Sequence, residues 1–316
     1  MYKGHTVGVV VPAYNEEKLI GQTIESMPTF VDKIVIVDDG CKDRTADIVK
    51  QYQAEQPERI VLLRHQTNQG VGGAITSGYI WCRDAELDMA AVMAGDAQMD
   101  PQDLPALVDP IAEGKADYTK GNRFISGESW RKIPKIRYLG NAVLTMLTKI
   151  ASGYWHVADS QSGYTVINKK ALHAINWYDM YKGYGQPNDL LVRLNINNMR
   201  VLDVEIRPIY GIGEKSGIHP LAIIPSISWL IMKMFVFRMW HKYIIRDFHP
   251  LVFFYLLAFF LIFISIPLFI RLVWMTILTN NIPPINALAQ IFIIIMGIQS
   301  LFFAMWFDMS YNQDLK

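Results

Sequence analysis

The sequence predicts an α/β protein built on a mostly parallel sheet with helices on both faces, followed by interfacial helices and a C-terminal two-helix transmembrane hairpin. Three observations predict it. Short apolar, β-branched runs alternate with segments of helical periodicity through the first 220 residues. Each run is followed at once by a polar, glycine-rich or acidic stretch. Beyond Leu251 lie two long apolar runs that contain no charged residue.

The strand-like runs are Val7–Val11, Lys33–Val37, Arg59–Leu63 and Met89–Met93. Alternation with helices implies parallel pairing, and such sheets bind ligands beyond the carboxyl ends of their strands. The stretches to read closely are therefore Pro12–Glu17, Asp38–Arg44, Asn68–Gly73 and Gly95–Pro101. In the first, Asn15 is expected to cap a helix beginning at Glu16 and Glu17. In the second, the adjacent carboxylates Asp38 and Asp39 repel and lose solvation if buried, so a bound nucleotide or a cation is expected to compensate them. Gly70, Gly72 and Gly73 lead into a helix and would let backbone N–H groups approach a phosphate. Asp96, Gln98 and Asp100 alternate, the spacing at which extended backbone points oxygen ligands to one side for a hard cation. Asp100 also fits as a cap for a helix starting at Pro101.

The 51% hydrophobic content is concentrated after about Leu221. Leu251–Ile270 holds twenty uncharged residues, which at ~1.5 Å per residue reach about 30 Å, the thickness of a bilayer core. Ala287–Phe307 is a second such run, interrupted by Gln290 and Gln299, and Thr279–Pro284 supplies turn chemistry between them. The expected division is a domain at 1–220, juxtamembrane amphipathic helices at 221–249, and spans near 250–272 and 286–307 within 250–316. Lys233, Arg238, Lys242 and Arg246 precede the first span, whereas the loop between spans has only Arg271 at its start. The positive-inside rule then puts the N-terminal domain and both termini in the cytosol. No basic, apolar leader precedes the first strand, so the hydrophobic tail is expected to direct insertion. Arg238, Lys242 and Arg246 recur every four residues among Trp229, Phe235, Phe237, Trp240, Tyr243 and Phe248. That pattern reads as an interfacial helix whose basic side chains meet lipid phosphate.

Thirty basic and twenty-nine acidic residues leave a formal charge of +1, which gives no reason to expect a nucleic-acid partner. Only Cys41 and Cys82 occur, without metal-ligand spacing and without expectation of a disulfide in a reducing compartment.

VVPAYNEE (Val10–Glu17), VDDGCKDRT (Val37–Thr45), NQGVGGAI (Asn68–Ile75), GDAQMDP (Gly95–Pro101), GNRF (Gly121–Phe124) and DSQSGYTV (Asp159–Val166) occur in order. Together they resemble the family-2 glycosyltransferases of GT-A, Rossmann-like fold, and most closely the polyprenyl-phosphate, dolichyl-phosphate mannose synthase-like branch. The resemblance implies a nucleotide-sugar donor, a divalent metal (Mg or Mn), inversion at the anomeric carbon and a polyprenyl-phosphate lipid acceptor. By position, it implies that Pro12, Tyr14, Glu17, Asp38 and Asp39 hold the nucleoside, with Asn68 and Gly70 completing the donor site. Asp96 and Gln98 would bind metal and diphosphate, and Lys215 would belong to a loop that closes on the donor. Arg123 would lie near the reacting phosphates, Arg137 and Asn141 would hold the acceptor phosphate, and Asp159 would be the active-site acid. Two positions depart from the family pattern: Ala94 replaces the usual first acid of the metal motif, leaving Asp96 with Asp100 as a further candidate, and Cys41 replaces a more usual serine. His156 and Trp155 gain no role from the match and read as packed residues.

The expected reaction is transfer of one sugar to the lipid phosphate by a membrane enzyme that could form homo-oligomers. A processive polysaccharide synthase would share the domain, but no Gln-x-x-Arg-Trp element is present and two spans are few for a conduit. A nucleotidyltransferase would form a nucleotide–sugar bond instead of releasing nucleoside diphosphate. A donor-binding scaffold, suggested by Ala94, would bind donor without consuming it.

Overall fold

The computed structural model describes residues 1–124, 135–207 and 220–316, the side chains of 135–141 and 220–225 excepted. The chain divides into two compact units, residues 1–235 with 315–316 and residues 236–314.

In the first unit the strands are β1 (Val7–Ala13), β2 (Lys33–Asp38), β3 (Ile60–Arg64), β4 (Met89–Val92), β5 (Tyr118–Asn122), β6 (Thr165–Asn168) and β7 (Val201–Glu205), in the sheet order β3-β2-β1-β4-β6-β5-β7. β1 pairs in parallel with β2 and β4, β2 with β3, and β5 with β7; β6 runs antiparallel to both neighbours. Reversal of β6 matters for the site. It brings the amino end of β6, where Thr165 pairs with Val92 and Lys120, beside the carboxyl ends of β4 and β5. The loop before β6 therefore reaches the edge on which parallel strands present their ligands.

The helices of this unit are α1 (Ile20–Glu25), α2 (Thr45–Glu55), α3 (Val71–Asp84), α4 (Leu104–Ala112), α5 (Lys135–Ser152), α6 (Lys169–Ala174) and α7 (Gln186–Ile196), and α8 (Pro220–Trp240) begins in it. Strand side chains alternate between two cores. Val10, Val35, Val37, Ala90 and Val92 pack with Ala74, Ile75 and Tyr79 of α3, Leu172 of α6 and Leu190, Leu191 and Leu194 of α7. Val7, Val9, Val11, Ile34, Ile36, Met89 and Ala91 pack with Ile20 of α1, Val49 of α2 and Leu104, Leu107 and Val108 of α4. Burial on both faces explains why the strands read as uninterrupted apolar runs, and each buried Val or Ile contributes about 1.5–3 kcal/mol. α3 lies close on β1 because it carries Gly78 there: a Cβ would come within 2.2 Å of Val10 Cγ1.

The second unit holds a π-helical turn (His241–Arg246) and two long helices, α9 (Leu251–Thr279) and α10 (Pro284–Tyr311). Both are long and apolar enough to cross a membrane, yet only 28% and 22% of their most apolar stretches are buried. A soluble core helix would hide far more. The helices approach through small residues, with Ala258, Ser265, Gly297, Ser300 and Ala304 buried while Phe260, Phe263, Trp274 and Ile277 face outward. Asn280, in left-handed conformation, ends α9, and Pro283–Pro284 starts α10.

The basic face expected of the juxtamembrane segment is not outward. Arg238 is fully buried and binds Asp308 with two hydrogen bonds, Nη1–Oδ1 at 2.8 Å and Nη2–Oδ2 at 2.9 Å. The Tyr243 hydroxyl donates to Asp308 at 2.5 Å, and Lys242, also buried, donates to Asn312 Oδ1 at 2.7 Å. An acid near the end of an apolar helix needs a counter-charge, and the planar guanidinium matches a carboxylate in a way a lipid headgroup contact would forgo. Of the three, Arg246 is exposed, beside exposed Trp240, Ile245 and Phe248.

Removing one member of this buried pair should be costly. Asp308→Ala in the full chain in detergent is expected to lower unfolding free energy by about 3–5 kcal/mol, and Arg238→Met combined with Asp308→Leu should recover most of it. An unchanged thermal midpoint for Asp308→Ala would contradict this reading of the pair.

Candidate active site

Near the carboxyl end of β1, Pro12 is half-buried, and beyond the strand Tyr14 and Glu17 are exposed. Asn15 does not cap a helix. It has φ of +58°, away from the extended geometry a cap needs, α1 starts only at Ile20, and Asn15 Oδ1 accepts instead from Lys42 N at 2.8 Å. The turn is laced to the segment after β2: Asn15 N donates to Cys41 Sγ at 3.2 Å, Glu16 N to Thr45 Oγ1 at 2.9 Å, and Arg44 N to Glu17 Oε2 at 3.2 Å. Cys41 therefore takes up an acceptor's place in the turn. Burial and the neighbouring Asp38 push its thiol up to about 11, so it stays protonated near neutrality.

Asp38 and Asp39 are buried, and the protein itself compensates them. Asp38 Oδ1 accepts from Cys41 N at 2.7 Å and Oδ2 from Arg64 Nε at 2.9 Å. Asp39 Oδ1 meets His65 Nδ1 at 2.7 Å and Gln69 N at 2.8 Å, while Oδ2 accepts from Gly70 N at 2.9 Å. His65 is held in turn by Ser77 Oγ at 2.8 Å. Compensation by ligand or cation, expected from the sequence, is thus supplied by Arg64, His65 and backbone amides. Burial alone would raise the Asp38 carboxyl; hydrogen bonds from Cys41 and Arg64 outweigh it and hold the group below its ordinary value.

The glycines entering α3 serve close packing. Gly70 has φ of +84°, and a Cβ on Gly70 or Gly72 would come within 2.7 Å of the Lys182 or Tyr181 carbonyl oxygen. Gly73 N donates to Lys182 O at 3.1 Å, and exposed Asn68 accepts from Gly70 N through Oδ1 at 2.9 Å. The amides expected to approach a phosphate are largely taken up by the chain itself.

After β4 the backbone is not extended between Asp96 and Gln98, because Ala97 has φ of +57°. Asp96 Oδ1 accepts from Gln98 N at 3.1 Å, and Asp100 Oδ1 caps the single turn Pro101–Asp103 through Gln102 N at 2.9 Å. The alternating presentation of three oxygen ligands is therefore replaced by two separate turns. Glu16, which the sequence marks only as the start of an expected helix, is half-buried near Asp96: burial first, then the charges of Asp96 and Asp43, push its carboxyl up. Among the described residues no three His, Cys, Asp or Glu side chains converge to hold a metal ion.

β5 and the loop before β6 bring Arg123 and Asp159 together. Arg123 Nε lies 2.7 Å from Asp159 Oδ2 and Nη2 3.0 Å from Oδ1, with the arginine 24% and the acid 1% exposed. Arg123 N and Gln161 N donate to the same carboxylate, each at 3.3 Å. Asp203 of β7 braces both arms, accepting from Asn122 Nδ2 at 2.8 Å and from Ala158 N at 2.7 Å. Behind the loop, Thr145 of α5 meets Ser160 at 3.2 Å, and Asn188 of α7 accepts from Thr148 and Gln161, each at 3.0 Å. Asp203 and Asn188 escaped sequence reading because nothing local marks them; only the tertiary fold sets them behind Asp159. The side chains of Asn141 and Arg137, about one and two turns before Thr145 on α5, and the whole of Lys215 lie outside the described residues. His156 is packed, its Nε2 2.7 Å from Val201 O.

A sheet of this topology with polar turns at one edge is the GT-A fold of glycosyltransferases. Crystal structures of glucosyl-3-phosphoglycerate synthase from Mycobacterium tuberculosis share it: one with UDP is 20% identical with a TM-score of 0.52, and one with Mn2+, UDP and glucosyl-3-phosphoglycerate is 19% identical with a TM-score of 0.51. Each likeness covers 74% of this chain and 80% of that one. The chain belongs to glycosyl transferase family 2, whose profile matches residues 8–175. Among its relatives, a UDP-N-acetylglucosamine–dolichyl-phosphate N-acetylglucosaminyltransferase of Methanococcus voltae is 30% identical over 214 residues, 64% of this chain and 85% of that one. A polyprenol monophosphomannose synthase of Mycolicibacterium smegmatis is 26% identical over 203 residues, 63% of this chain and 75% of that one.

A carboxyl held below its ordinary value stabilises the fold above that value, and the contribution is lost as pH falls through the folded-state value. Asp38→Asn should therefore lower the denaturation midpoint of the full chain at neutral pH, and the gap from wild type should close below about pH 4. A gap that persists in acid would contradict the assignment.

Proposed function

We propose that this protein is an inverting glycosyltransferase that moves one sugar from a UDP- or GDP-linked donor to a polyprenyl phosphate at the cytosolic face of a membrane crossed by α9 and α10. The observation that carries the reading is the Arg123–Asp159 pair at the ligand-binding edge of the sheet, in a chain that also carries two long apolar helices with outward-facing aromatics. The acceptors named for the relatives support it, as does the family.

In the proposed step an oxygen of the lipid phosphate attacks the anomeric carbon from the side opposite the nucleoside diphosphate. A carbon–oxygen bond to the acceptor forms as the bond to the donor's β-phosphate oxygen breaks, and configuration inverts. A phosphate monoester with second pKa of ~6 is already ionised near neutrality, so no general base is required. Asp159 suits that chemistry: both its oxygens are engaged by Arg123, so it orients rather than abstracts. Arg123, partly exposed, offers its charge to the departing phosphates. Pro12, Tyr14, Glu17, Asp38, Asp39, Asn68 and Gly70 form the nucleoside side of the donor site, with Asp38 and Asp39 acting chiefly as braces of its walls. Lys215 belongs to a loop closing on the donor, and Arg137 and Asn141 receive the acceptor phosphate.

The residues after β4 fit a divalent ion, Mg or Mn, that takes most of its ligands from diphosphate and water. Asp96 would supply a carboxylate and Gln98 an amide, and half-buried Glu16 lies close enough for burial first, then the charges of Asp96 and Asp43, to raise its carboxyl. When bound, such an ion stabilises charge on the leaving diphosphate.

Asp159→Asn is expected to reduce turnover at least about tenfold at saturating lipid phosphate and donor; near-wild-type turnover would remove Asp159 from the reaction. Asp96→Ala should abolish the increase in donor affinity that magnesium or manganese produces in calorimetry. An unchanged, metal-enhanced affinity would take Asp96 out of the metal site.

A further inference from the structure

Lys120 stands fully buried in the middle of β5, a position where an apolar β-branched residue would pack without the cost of burying charge. In register it faces Asp203 of β7 on one side and the uncharged Thr165 of β6 on the other. Its ammonium donates to the carbonyl of Ser162, in the loop that carries Asp159. Among the described residues, the charged groups around it are Asp159 from that loop, Asp203 from β7 and Arg123 from the end of its own strand. Burial lowers the ammonium to about 8, against the pull of the two carboxylates, and Arg123 adds to the fall.

These four groups form a neutral set while Lys120 is protonated and Arg123 rests on Asp159. The two partners of the ion pair are unequally free: Arg123 is 24% exposed and can turn outward, whereas Asp159, 1% exposed, cannot follow it. Once the guanidinium shares itself with a phosphate, Asp159 would be left as a buried charge with too little compensation. Among the described residues, Lys120 is the cation that remains beside that loop. It also faces Asp203, whose carboxylate holds Asn122 and Ala158, the residues directly before Arg123 and Asp159.

We infer that Lys120 is a positioning residue: a buried counter-charge that holds Asp159 and its loop in place while Arg123 engages the phosphates of the bound donor. The inference rests on the roles proposed above for Arg123 and Asp159. It assigns Lys120 to the reaction through Asp159 and not through contact with substrate.

The test is a double-mutant cycle on the full chain, using undecaprenyl phosphate and the UDP- or GDP-sugar that supports wild-type turnover. Lys120→Met should lower kcat about tenfold or more with donor KM changed less than about threefold, and in an Asp159→Asn background it should cause no further loss. Losses that multiply in that background, or a Lys120→Met kcat within about twofold of wild type, would overturn the inference while leaving the catalytic reading intact. A wild-type rate for Asp159→Asn would instead sink the reading beneath it. A second arm does not depend on the folding of Lys120→Met. Asp203→Asn removes a carboxylate that favours the ammonium, so the alkaline fall in kcat should move to lower pH; an unmoved limb contradicts the inference.

Discussion

The two-pronged contact of Arg123 with Asp159 is the constraint on which the rest of the reaction edge depends. It joins the carboxyl end of β5 to the loop before β6, which meet only because β6 runs against the other strands. Everything near it serves to hold that junction. Asp203 grips the residue before each partner, Gln161 N and Arg123 N donate to the acid, and the Thr145–Ser160 and Gln161–Asn188 contacts fix the loop from behind. A buried carboxylate so held is rigid and already compensated, as preorganised electrostatic catalysis requires.

The other half of the edge follows the same rule of internal compensation. Asp38 and Asp39 are bound by Arg64, His65 and backbone amides before any ligand arrives, and the loops after β1 and β2 are stitched to each other through Asn15, Glu17, Cys41 and Thr45. The acids brace these loops, their charge already met by the chain's own donors. The contrast lies where Glu16, after β1, meets Asp96, after β4, and Asp43, after β2: burial first, then those two charges, raise the Glu16 carboxyl. That is the corner at which a divalent ion would lower the electrostatic cost.

Much of the sheet was legible because β1, β2 and β4 are buried on both faces, so their sequences are unbroken apolar runs whose ends fall within a residue or two of those expected. The turns after those strands were legible as polar stretches, but their internal geometry was not. A left-handed Ala97 undid the even spacing of Asp96, Gln98 and Asp100, and a left-handed Asn15 undid an expected cap. Contacts made across long chain separations were invisible. His65 lies 26 residues from Asp39, Arg123 36 residues from Asp159, and Arg238 70 residues from Asp308. That last distance is why a basic stripe at helical spacing read as a headgroup-facing surface, when two of its three members turn inward. Lys120 carried no signal, since its meaning comes from strands 40 and more residues away.

The reaction edge and the apolar hairpin together make one claim, that the chain transfers a single sugar to a membrane-borne phosphate. Its most direct test is mass spectrometry of the lipid formed when the purified full chain is incubated with a polyprenyl phosphate and a panel of UDP- and GDP-sugars. The account predicts a polyprenyl phosphate bearing one sugar, released in step with an equal amount of nucleoside diphosphate. Donor left intact throughout the panel, a lipid bearing several sugars, or a sugar joined through a diphosphate would contradict it.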